Sequence, residues 1–503
     1  MKTLKTLSTL AMLCLYFTLS GQNIYDVQRY SGTLFQSNAR SMAVGNAFGA
    51  LGANPIATSI NPAGIAAYPV SEFSFSLGAT NSEIGSNYLG NLYDDNKYSL
   101  NLPNLSYVFT ERNKVKDADF SNSWLSTHFA ITMNRRNGFN QSFVFTGDNQ
   151  LTTMLDQFAE ELDYLYFNDL AIDSGSYGGM GYFAYLIDPI YNDEDEIVGF
   201  APSVSDNSTI NVAQAQSISS SGSINDLNLS LAGNYGDKLF LGATLGFPVL
   251  NYKETGTYTE DNLDQAIDNY NYMTLRHSLT DRGIGIFGQL GMILKPAQIM
   301  RIGLSVKTPT FYSVNRTFKT SLEGNTDANG TIKIEPSGYD YQYNFVTPWE
   351  VTASAATLLG KMGFLSADYT FFDGSLARLS AEGSEGRLAY VNENNEIKDA
   401  LQGVHQIRLG GEISLGNFAL RLGTSTTTSA YKKGYMPETS MSSYSTTSAG
   451  IGYRENLFYM DLGVQRMFRG SFFQPYSLSY TDVAGAKLDE SYTSYVLTAG
   501  FNF

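Results

Sequence analysis

The 503-residue sequence contains a single cysteine and only 13 prolines, and charged residues make up 16% of it. Soluble domains usually carry a charge at about a quarter of their positions. Beyond residue 21 no apolar run approaches the length of about 20 residues that a membrane-spanning helix needs, and the mean hydropathy is −0.17, which excludes a polytopic helical membrane protein. The formal net charge of −16 argues against a nucleic-acid partner, which requires a basic face.

The sequence is instead rich in tyrosine (34), phenylalanine (31) and glycine (47). The aromatic content excludes a disordered chain. A chain of this length forms either several domains or one large closed architecture, and the composition favours the second.

The first 21 residues have the layout of a secretory signal peptide. A basic start, an apolar core and two small residues follow in order: Lys2, Lys5, Leu10–Leu19, Ser20 and Gly21. We expect cleavage near Gly21–Gln22, with an uncleaved anchor helix as the alternative. Cleavage removes Cys14, so the mature chain would have no disulfide, thiolate ligand or cysteine nucleophile, and its formal charge would be −18.

Most of the remaining chain alternates apolar and polar residues with a period of two, which indicates β-strands. In one such segment the apolar positions and the intervening polar positions are, respectively, Ile407, Leu409, Ile413, Leu415 and Gln406, Arg408, Glu412, Ser414. About fourteen segments of this kind lie between Glu72 and Phe503, within a range of twelve to sixteen.

Two all-β architectures fit the alternation. In a soluble sandwich the apolar faces meet in a core, whereas in an outer-membrane barrel they face lipid and the polar set faces the lumen. Three features favour the barrel. The polar positions of the alternating segments carry full charges, aromatic residues lie at strand ends, and glycines lie within strands, namely Gly283, Gly285, Gly288 and Gly291. The last strand runs from Tyr495 to Phe503 with every odd position apolar, and its terminal Phe503 resembles the assembly signal that the barrel-assembly machinery reads.

The barrel is predicted to occupy residues 71–503, with long loops at 148–224, 251–280 and 313–346. The helical spacing of Leu151, Leu155, Phe158 and Leu162 predicts a short amphipathic helix. A second helix is expected after Thr259, with one face listed here: Leu263, Ala266, Ile267 and Tyr270. Two such helices could form an apolar groove, or they could only cover the mouth of the barrel.

Residues 22–70 alternate poorly and are dominated by small residues, which suits a plug packed tightly inside a barrel; an irregular periplasmic arm is the alternative. The run ARSMAVGNAFGALGANPIATSINPAG (39–64) is similar to the N-terminal hatch of the FadL/TodX family of outer-membrane transport proteins for hydrophobic compounds. The similarity continues at 280–312, 347–373 and 405–426.

This resemblance implies a monomeric fourteen-stranded barrel plugged by a hatch that includes Asn61, Pro62 and Ala63. It also implies a hydrophobic ligand of the fatty-acid or aromatic-hydrocarbon type, taken up by diffusion and released sideways through the wall, in the outer membrane of a Gram-negative-type bacterium. No pattern in the sequence identifies the residues that bind the ligand. Outer-membrane lipid and lipopolysaccharide are the expected surroundings, and no cofactor is expected.

Two other functions remain open at this stage. The protein could be the outer-membrane component of a secretion or surface-attachment system, whose loops hold a protein partner. It could also be a haemin receptor, in which case a histidine should face the cavity. The three histidines, His128, His277 and His405, are widely spaced, the acidic run 192–196 lacks the order of an EF-hand, and no catalytic motif is present, so we expect neither a metal site nor an enzyme.

Overall fold

The computed structural model describes residues 24–32, 36–114, 117–203, 210–263, 269–381, 390–435 and 443–503. The expected signal peptide therefore lies outside the described residues. The described ranges contain six α-helices and 21 β-strands. None of these helices is long and apolar enough to cross a membrane.

The helices are α1 (Ile24–Ser31), α2 (Ala39–Ala43), α3 (Ala57–Ile60), α4 (Met154–Phe167), α5 (Tyr177–Phe183) and α6 (Val391–Ala400), with 3-10 turns at Pro62–Ala67, Asp117–Asn122 and Gly374–Leu376. The strands are β1 (Glu72–Tyr88), β2 (Asn91–Arg112), β3 (Trp124–Gly138), β4 (Gln141–Asn149), β5 (Ile187–Tyr191), β6 (Ile197–Pro202), β7 (Val212–Tyr235), β8 (Leu239–Asn262), β9 (Tyr270–Ala297), β10 (Met300–Lys307), β11 (Phe311–Thr326), β12 (Gly330–Ile334), β13 (Tyr339–Val346), β14 (Glu350–Leu358), β15 (Gly363–Asp373), β16 (Arg378–Ala381), β17 (Gly403–Leu415), β18 (Phe418–Thr427), β19 (Tyr444–Glu455), β20 (Phe458–Phe473) and β21 (Ala486–Asn502).

Nineteen of the strands form one antiparallel sheet, and pairing of the first strand with the last, from Glu72↔Asn502 to Asn87↔Lys487, closes it. Four wall positions are each shared by two successive strands: β3/β4, β10/β11, β13/β14 and β15/β16. Strand β12 only forms a hairpin with β11. The result is a closed barrel of fourteen wall positions, so the predicted all-β barrel is confirmed.

The two faces of the wall differ as the alternation predicts for a membrane barrel. Ile407, Leu409 and Ile413 are exposed on the outer face, whereas Arg408 and Glu412 are buried on the inner face. A soluble sandwich would bury the apolar set, so that alternative is wrong. A closed wall with an outward apolar belt and a polar interior is the architecture of a protein of the bacterial outer membrane.

The N-terminal segment 36–70 lies inside this barrel. Helix α2 contacts strands β18 to β21, and the 3-10 turn Pro62–Ala67 contacts β3, β7, β8 and β9. Almost every side chain of the segment is buried. The small residues noted in the sequence allow this close approach because they leave little side chain between the two backbones.

Strands β7, β8, β9 and β11 continue far beyond the apolar belt. On β8 the outward side chains are apolar from Leu241 to Val249, and Asn251, Lys253 and Thr255 follow them on the same face. Long connections of such barrels face the cell exterior, so these four strands extend the wall outside the membrane.

The predicted loops at 251–280 and 313–346 are therefore wrong for most of their length, because β8, β9, β11 and β13 run through them. Outside the membrane the outer residues face water, so the strands lose their lipid-facing apolar side chains and their alternation becomes weak. The helix expected after Thr259 does not begin there, because Thr259 lies in β8 and pairs with Thr274 of β9, and Tyr270 already lies in β9. The middle of the expected helix, with Ala266 and Ile267, lies outside the described residues.

Residues 150–203, between β4 and β7, form a folded cap on the extracellular side. Its first helix, α4, carries the predicted Leu155, Phe158 and Leu162 on its buried face and is capped by the Thr153 side chain. Leu151 precedes the helix and is exposed, contrary to the prediction. The glycine-rich α5 packs against α4 closely enough that a Cβ on Gly178 would lie 2.7 Å from the Phe158 carbonyl oxygen.

Candidate functional site

The wall loses its backbone ladder between β2 and the β3/β4 position. Strand β2 pairs with β3 only from Asn104↔Asn134 to Arg112↔Ser126. A bulge in β3 between Arg135 and Asn137 turns the chain at this point. Although both strands are fully described, no ladder joins the preceding half of β2 to β4, which pairs with β7 alone.

Side chains replace the missing ladder. The Ser86 hydroxyl of β1 donates to the Val144 carbonyl of β4 over 2.5 Å, and the Asn91 amide of β2 donates to the Thr146 carbonyl over 3.2 Å. The Lys97 ammonium of β2 reaches past β4 and donates to Ser219 and to the Ser220 carbonyl of β7 over 2.8 Å. These few side-chain bonds are fewer than a backbone ladder of this length would supply. We name this part of the wall, which lacks a ladder, the β2–β4 seam.

A cluster of buried aromatic and aliphatic side chains lies in the lumen, and one of its members, Phe139, lies in the connection between β3 and β4 that borders this seam. We name this cluster the aromatic pocket. Its walls are Phe139, Ile224, Leu250, Tyr252, Tyr312, Val314, Tyr343, Phe345, Leu379, Ile397, Leu401 and Tyr431. Helix α1 inserts Ile24, Val27 and Tyr30 into this pocket. The Tyr30 ring makes edge-on contacts with Phe139 at 6.0 Å and with Tyr252 at 6.1 Å between ring centroids. The protein's own N-terminal helix thus occupies the apolar space.

A buried ionic network holds α1 in place. Arg316 of β11 lies 2.9 Å from an oxygen of Asp26 and makes two hydrogen bonds, of 2.7 and 2.5 Å, to Asp281 of β9. On the helix itself, Arg29 pairs with Asp26 at 2.7 Å, and its guanidinium lies 4.3 Å from the Tyr252 ring centroid. Buried charges require such partners, because an unpaired charge at this depth would be strongly destabilising.

A second polar group adjoins the pocket through Tyr312. Arg136, in the bulge of β3, donates to Asp226 over 3.0 Å and to the Tyr312 hydroxyl over 3.2 Å. Lys307 is 8% exposed, and its ammonium lies 4.2 Å from the Phe287 ring centroid. Among the described residues no carboxylate pairs with Lys307. An acceptor or anionic group on an apolar molecule could therefore bind here.

The hatch residues predicted from the sequence meet in one turn. The Asn61 side chain donates to the Gly49 carbonyl over 2.7 Å and to the Met292 carbonyl over 3.2 Å, and it accepts from the Ala63 amide over 3.2 Å. Pro62 begins the 3-10 turn that follows. Asn61 thus joins the turn to a neighbouring part of the segment and to strand β9.

This turn packs directly against glycines of the wall, which have no side chain. A Cβ on Gly291 would lie 2.0 Å from Oδ1 of Asn61, and one on Gly242 would lie 2.4 Å from the backbone of Pro62. No side chain could fit at either position without moving the turn. Gly291 is one of the strand glycines that the sequence associated with close backbone approach.

The N-terminal segment is also bonded to β3 in the residues that lead up to its bulge. The hydroxyls of Thr58 and Thr132 are 2.7 Å apart, and the Asn134 amide donates to Thr58 and Ser59. Above them, the Gln36 amide donates to the Arg135 carbonyl over 3.2 Å. A movement of this segment would thus be transmitted directly to the strand that borders the β2–β4 seam.

The cap presents an exposed aromatic surface to the exterior. Tyr166, Phe167, Tyr182 and Phe183 contact one another or Phe200 through edge-on ring contacts. The cap contains eleven Asp and Glu residues and no Lys or Arg. Its surface therefore combines apolar rings with strong negative charge.

The histidines are scattered over the barrel. His128 is buried between hydroxyls of β2 and β3, and His405 contacts Tyr369. His277 faces inward, with its Nε2 3.5 Å from Oε1 of Glu254. In the part of the chain that is described, no three His, Cys, Asp or Glu side chains group as a metal site requires.

Sequence reasoning did not find the aromatic pocket. Its residues Tyr341, Tyr343 and Phe345 alternate along β13, and this period of two was a usable signal within the range assigned to a loop. Helix α1 carried no comparable signal, because Ile24, Val27 and Tyr30 make a face too short to separate from chance.

No protein-family model and no curated protein matches the sequence. Among solved structures, a FadL homologue of Pseudomonas aeruginosa is similar with a TM-score of 0.55 and 11% identity, over 94% of this chain and 99% of that chain. The toluene transporter TodX of Pseudomonas putida is similar with a TM-score of 0.50 and 12% identity, over 93% of this chain and 98% of that chain. The chain has the fold of the FadL-type outer-membrane channels.

Proposed function

We propose that this protein takes up hydrophobic small molecules across the outer membrane and releases them sideways through its wall. The observation that carries the proposal is the position of the aromatic pocket beside the β2–β4 seam. A molecule in that pocket would need to cross only the part of the wall that lacks a ladder. The transport channels that share the fold, including one titled a toluene transporter, support the same class of function.

The lumen supports a route for apolar rather than hydrated solutes. The N-terminal segment 36–70 fills the barrel below the pocket with buried side chains that contact the strands. Transfer of an apolar solute into the pocket would be driven by about 25 cal/mol for each Å² of apolar surface buried. The exposed rings of the cap, Tyr166 and Phe183 among them, offer a first contact for such a solute.

Movement of the N-terminal segment is the step that this proposal requires. We expect a disulfide between Thr58→Cys and Thr132→Cys to abolish uptake, because it ties α3 to β3 beside the seam. The 2.7 Å between the two hydroxyls is compatible with the short Cβ separation that a disulfide needs. Reduction should restore uptake.

A matched pair controls for the chemistry of the disulfide. Ser230 and Thr244 face each other on β7 and β8, with their hydroxyls 2.6 Å apart, and a disulfide there joins only two wall strands. Uptake of labelled toluene and of a labelled long-chain fatty acid would be measured in cells that carry each variant or no protein. Equal uptake in the oxidised and reduced Thr58–Thr132 variant would contradict the proposal.

A protein partner is the second candidate function, and the cap favours it. An acidic, aromatic surface carried on strands that extend beyond the belt suits contact with a basic protein. If deletion left uptake unchanged while surface or secreted proteins were lost, this function would replace transport.

A further inference from the structure

The extracellular wall carries basic residues that the transport function does not use. Lys253 of β8, Arg276 and Arg282 of β9, and Lys319 of β11 are all exposed on the outer face. We name these four residues the basic patch. The cap carries eleven Asp and Glu residues and no Lys or Arg, and the whole chain has a net charge of −16, so the clustering of positive charge here is a local feature.

The strand register brings the four side chains together. Lys253 of β8 pairs with Thr280 of β9, which is two residues from Arg282. Lys319 of β11 pairs with Ser278 of β9, which is two residues from Arg276. Within each lysine–arginine pair the Cα atoms are thus about 8 Å apart, and the two lysines are about 12 Å apart across β9, within reach of one another's long side chains. One headgroup of a large glycolipid could contact several of them at once.

The patch has few internal partners. Among the described residues, no carboxylate pairs with Lys253, Arg282 or Lys319. Arg276 has Nη1 3.8 Å from Glu323, and the exposed Asp340 accepts a hydrogen bond from Thr317 at the border of the patch. The positive charge is therefore largely free to bind an external anion.

The height of the basic patch above the membrane indicates which ligand it could contact. Ile284, the last outward apolar residue of β9, is 58% exposed, and Arg282 is the next residue on the same face. With strands tilted by about 40°, the patch spans roughly 5 to 20 Å above the belt. This is the layer of phosphorylated sugar headgroups in the outer leaflet.

Hydroxyl groups surround the basic side chains on the same face. They belong to Thr255, Thr257, Ser278, Thr280, Ser313, Thr317 and Ser321. Arg and Lys form strong charge-assisted hydrogen bonds with phosphate, and hydroxyls can donate to the remaining phosphate and sugar oxygens. We propose that the basic patch binds the phosphorylated lipid A headgroup of lipopolysaccharide, and that this contact fixes the extended wall in the outer leaflet.

The test compares lipopolysaccharide bound to purified full-length protein in detergent. A quadruple variant carries Lys253→Gln, Arg276→Gln, Arg282→Gln and Lys319→Gln. The matched control carries Lys238→Gln, Lys361→Gln, Lys398→Gln and Lys433→Gln, which remove the same number of exposed charges elsewhere. We expect the patch variant to retain at least about tenfold less lipopolysaccharide, because each of the four basic residues near an anionic surface contributes several-fold, and the control to retain it all.

Two further binding measurements identify the chemical group that the basic patch recognises. Dephosphorylated lipid A should bind the wild-type protein as weakly as intact lipid A binds the patch variant, and phosphatidylglycerol binding should not differ between the two proteins. Equal lipopolysaccharide binding by wild type and patch variant would overturn the proposal. An equal loss of phosphatidylglycerol would also overturn it, because the patch would then be a general anionic-lipid surface. Heat-dependent gel mobility and the strand signal in circular dichroism would verify that each variant is folded.

Discussion

The hydroxyl of Tyr30 donates a 2.5 Å hydrogen bond to Asp281, and this contact joins the N-terminal helix to the inner face of the barrel 251 residues later in the chain. Asp281 also receives both hydrogen bonds from Arg316. The same tyrosine fills the centre of the aromatic pocket. One residue therefore links the polar anchor of α1 with its apolar insertion.

Replacing Tyr30 should change ligand affinity more when the whole side chain is removed than when only its hydroxyl is removed. Tyr30→Ala removes both the ring and the hydrogen bond, at a cost of about 3 kcal/mol to helix docking, whereas Tyr30→Phe loses only the bond, at about 1 kcal/mol. Because the helix competes for the pocket, weaker docking should raise the apparent affinity for a hydrophobic probe by up to about a hundredfold in the alanine variant. Calorimetric titration with the purified protein would measure this.

The phenylalanine variant is the matched control for Tyr30→Ala. It should bind the probe at most a few-fold more tightly than the wild type, because the ring still fills the pocket. If the alanine variant bound the probe more weakly than the wild type, Tyr30 would be part of the ligand site and not a competitor for it.

The glycines of the wall provide a second prediction. Gly291→Ala would place a methyl group 2.0 Å from Asn61, so the turn must shift, at a cost of about 1–3 kcal/mol. Gly288→Ala is the control, since its nearest neighbour would be 3.7 Å away. Hydrogen exchange of residues 39–67 should accelerate only in the Gly291 variant. Equal exchange in both variants would show that the turn does not depend on this contact.

Much of the barrel could be predicted from the sequence, because lipid on one side and a polar lumen on the other impose opposite demands on neighbouring residues. Leu409 and Arg408 show this directly. The extracellular extensions escaped prediction because water replaces lipid there. Lys253 and Thr255 then occupy positions at which β8 would carry leucine or valine inside the belt.

The candidate site was less predictable than the wall. Asn61, Pro62 and Ala63 were predicted from their resemblance to a hatch and lie in one turn, and their role as hatch residues stays a prediction. The aromatic pocket depends on long-range packing, since Tyr30, Phe139 and Phe345 come together only when the barrel closes. No local pattern in the sequence encodes that contact.

The hatch turn should tolerate loss of its proline better than loss of its asparagine. Asn61→Ala removes two hydrogen bonds to buried carbonyls and the cap on Ala63, at a cost of about 1–3 kcal/mol. Pro62→Ala removes only a preset backbone angle, at about 1 kcal/mol or less. Denaturant unfolding in detergent should rank the variants in this order, and equal losses would contradict the role assigned to the Asn61 side chain.

The cap should lose stability as pH rises, because burial raises the pKa of the carboxyl groups of Glu161, Asp156 and Asp163. Hydrogen bonds from backbone amides, such as that of Gly178 to Glu161 over 2.7 Å, oppose the shift without cancelling it. A folded-state pKa above the unfolded value means that the folded cap binds protons more tightly. Its stability is thus greatest below the ordinary carboxyl pKa of about 4 and falls as pH rises through the raised values.

Glu161→Gln tests this assignment, because glutamine can still accept the Gly178 bond but carries no charge. At neutral pH the variant should have a more stable cap than the wild type, with a weaker dependence on pH. Glu194→Gln, at an exposed turn, is the control and should behave as the wild type does. Limited digestion at pH 5 and pH 8 should use chymotrypsin, because the chain has no Lys or Arg between Arg136 and Lys238 for trypsin to cut. The cleavage rate of the wild type relative to Glu161→Gln at the same pH cancels the pH dependence of the protease itself. This ratio should be larger at pH 8 than at pH 5, and the reverse would contradict the sign of the effect.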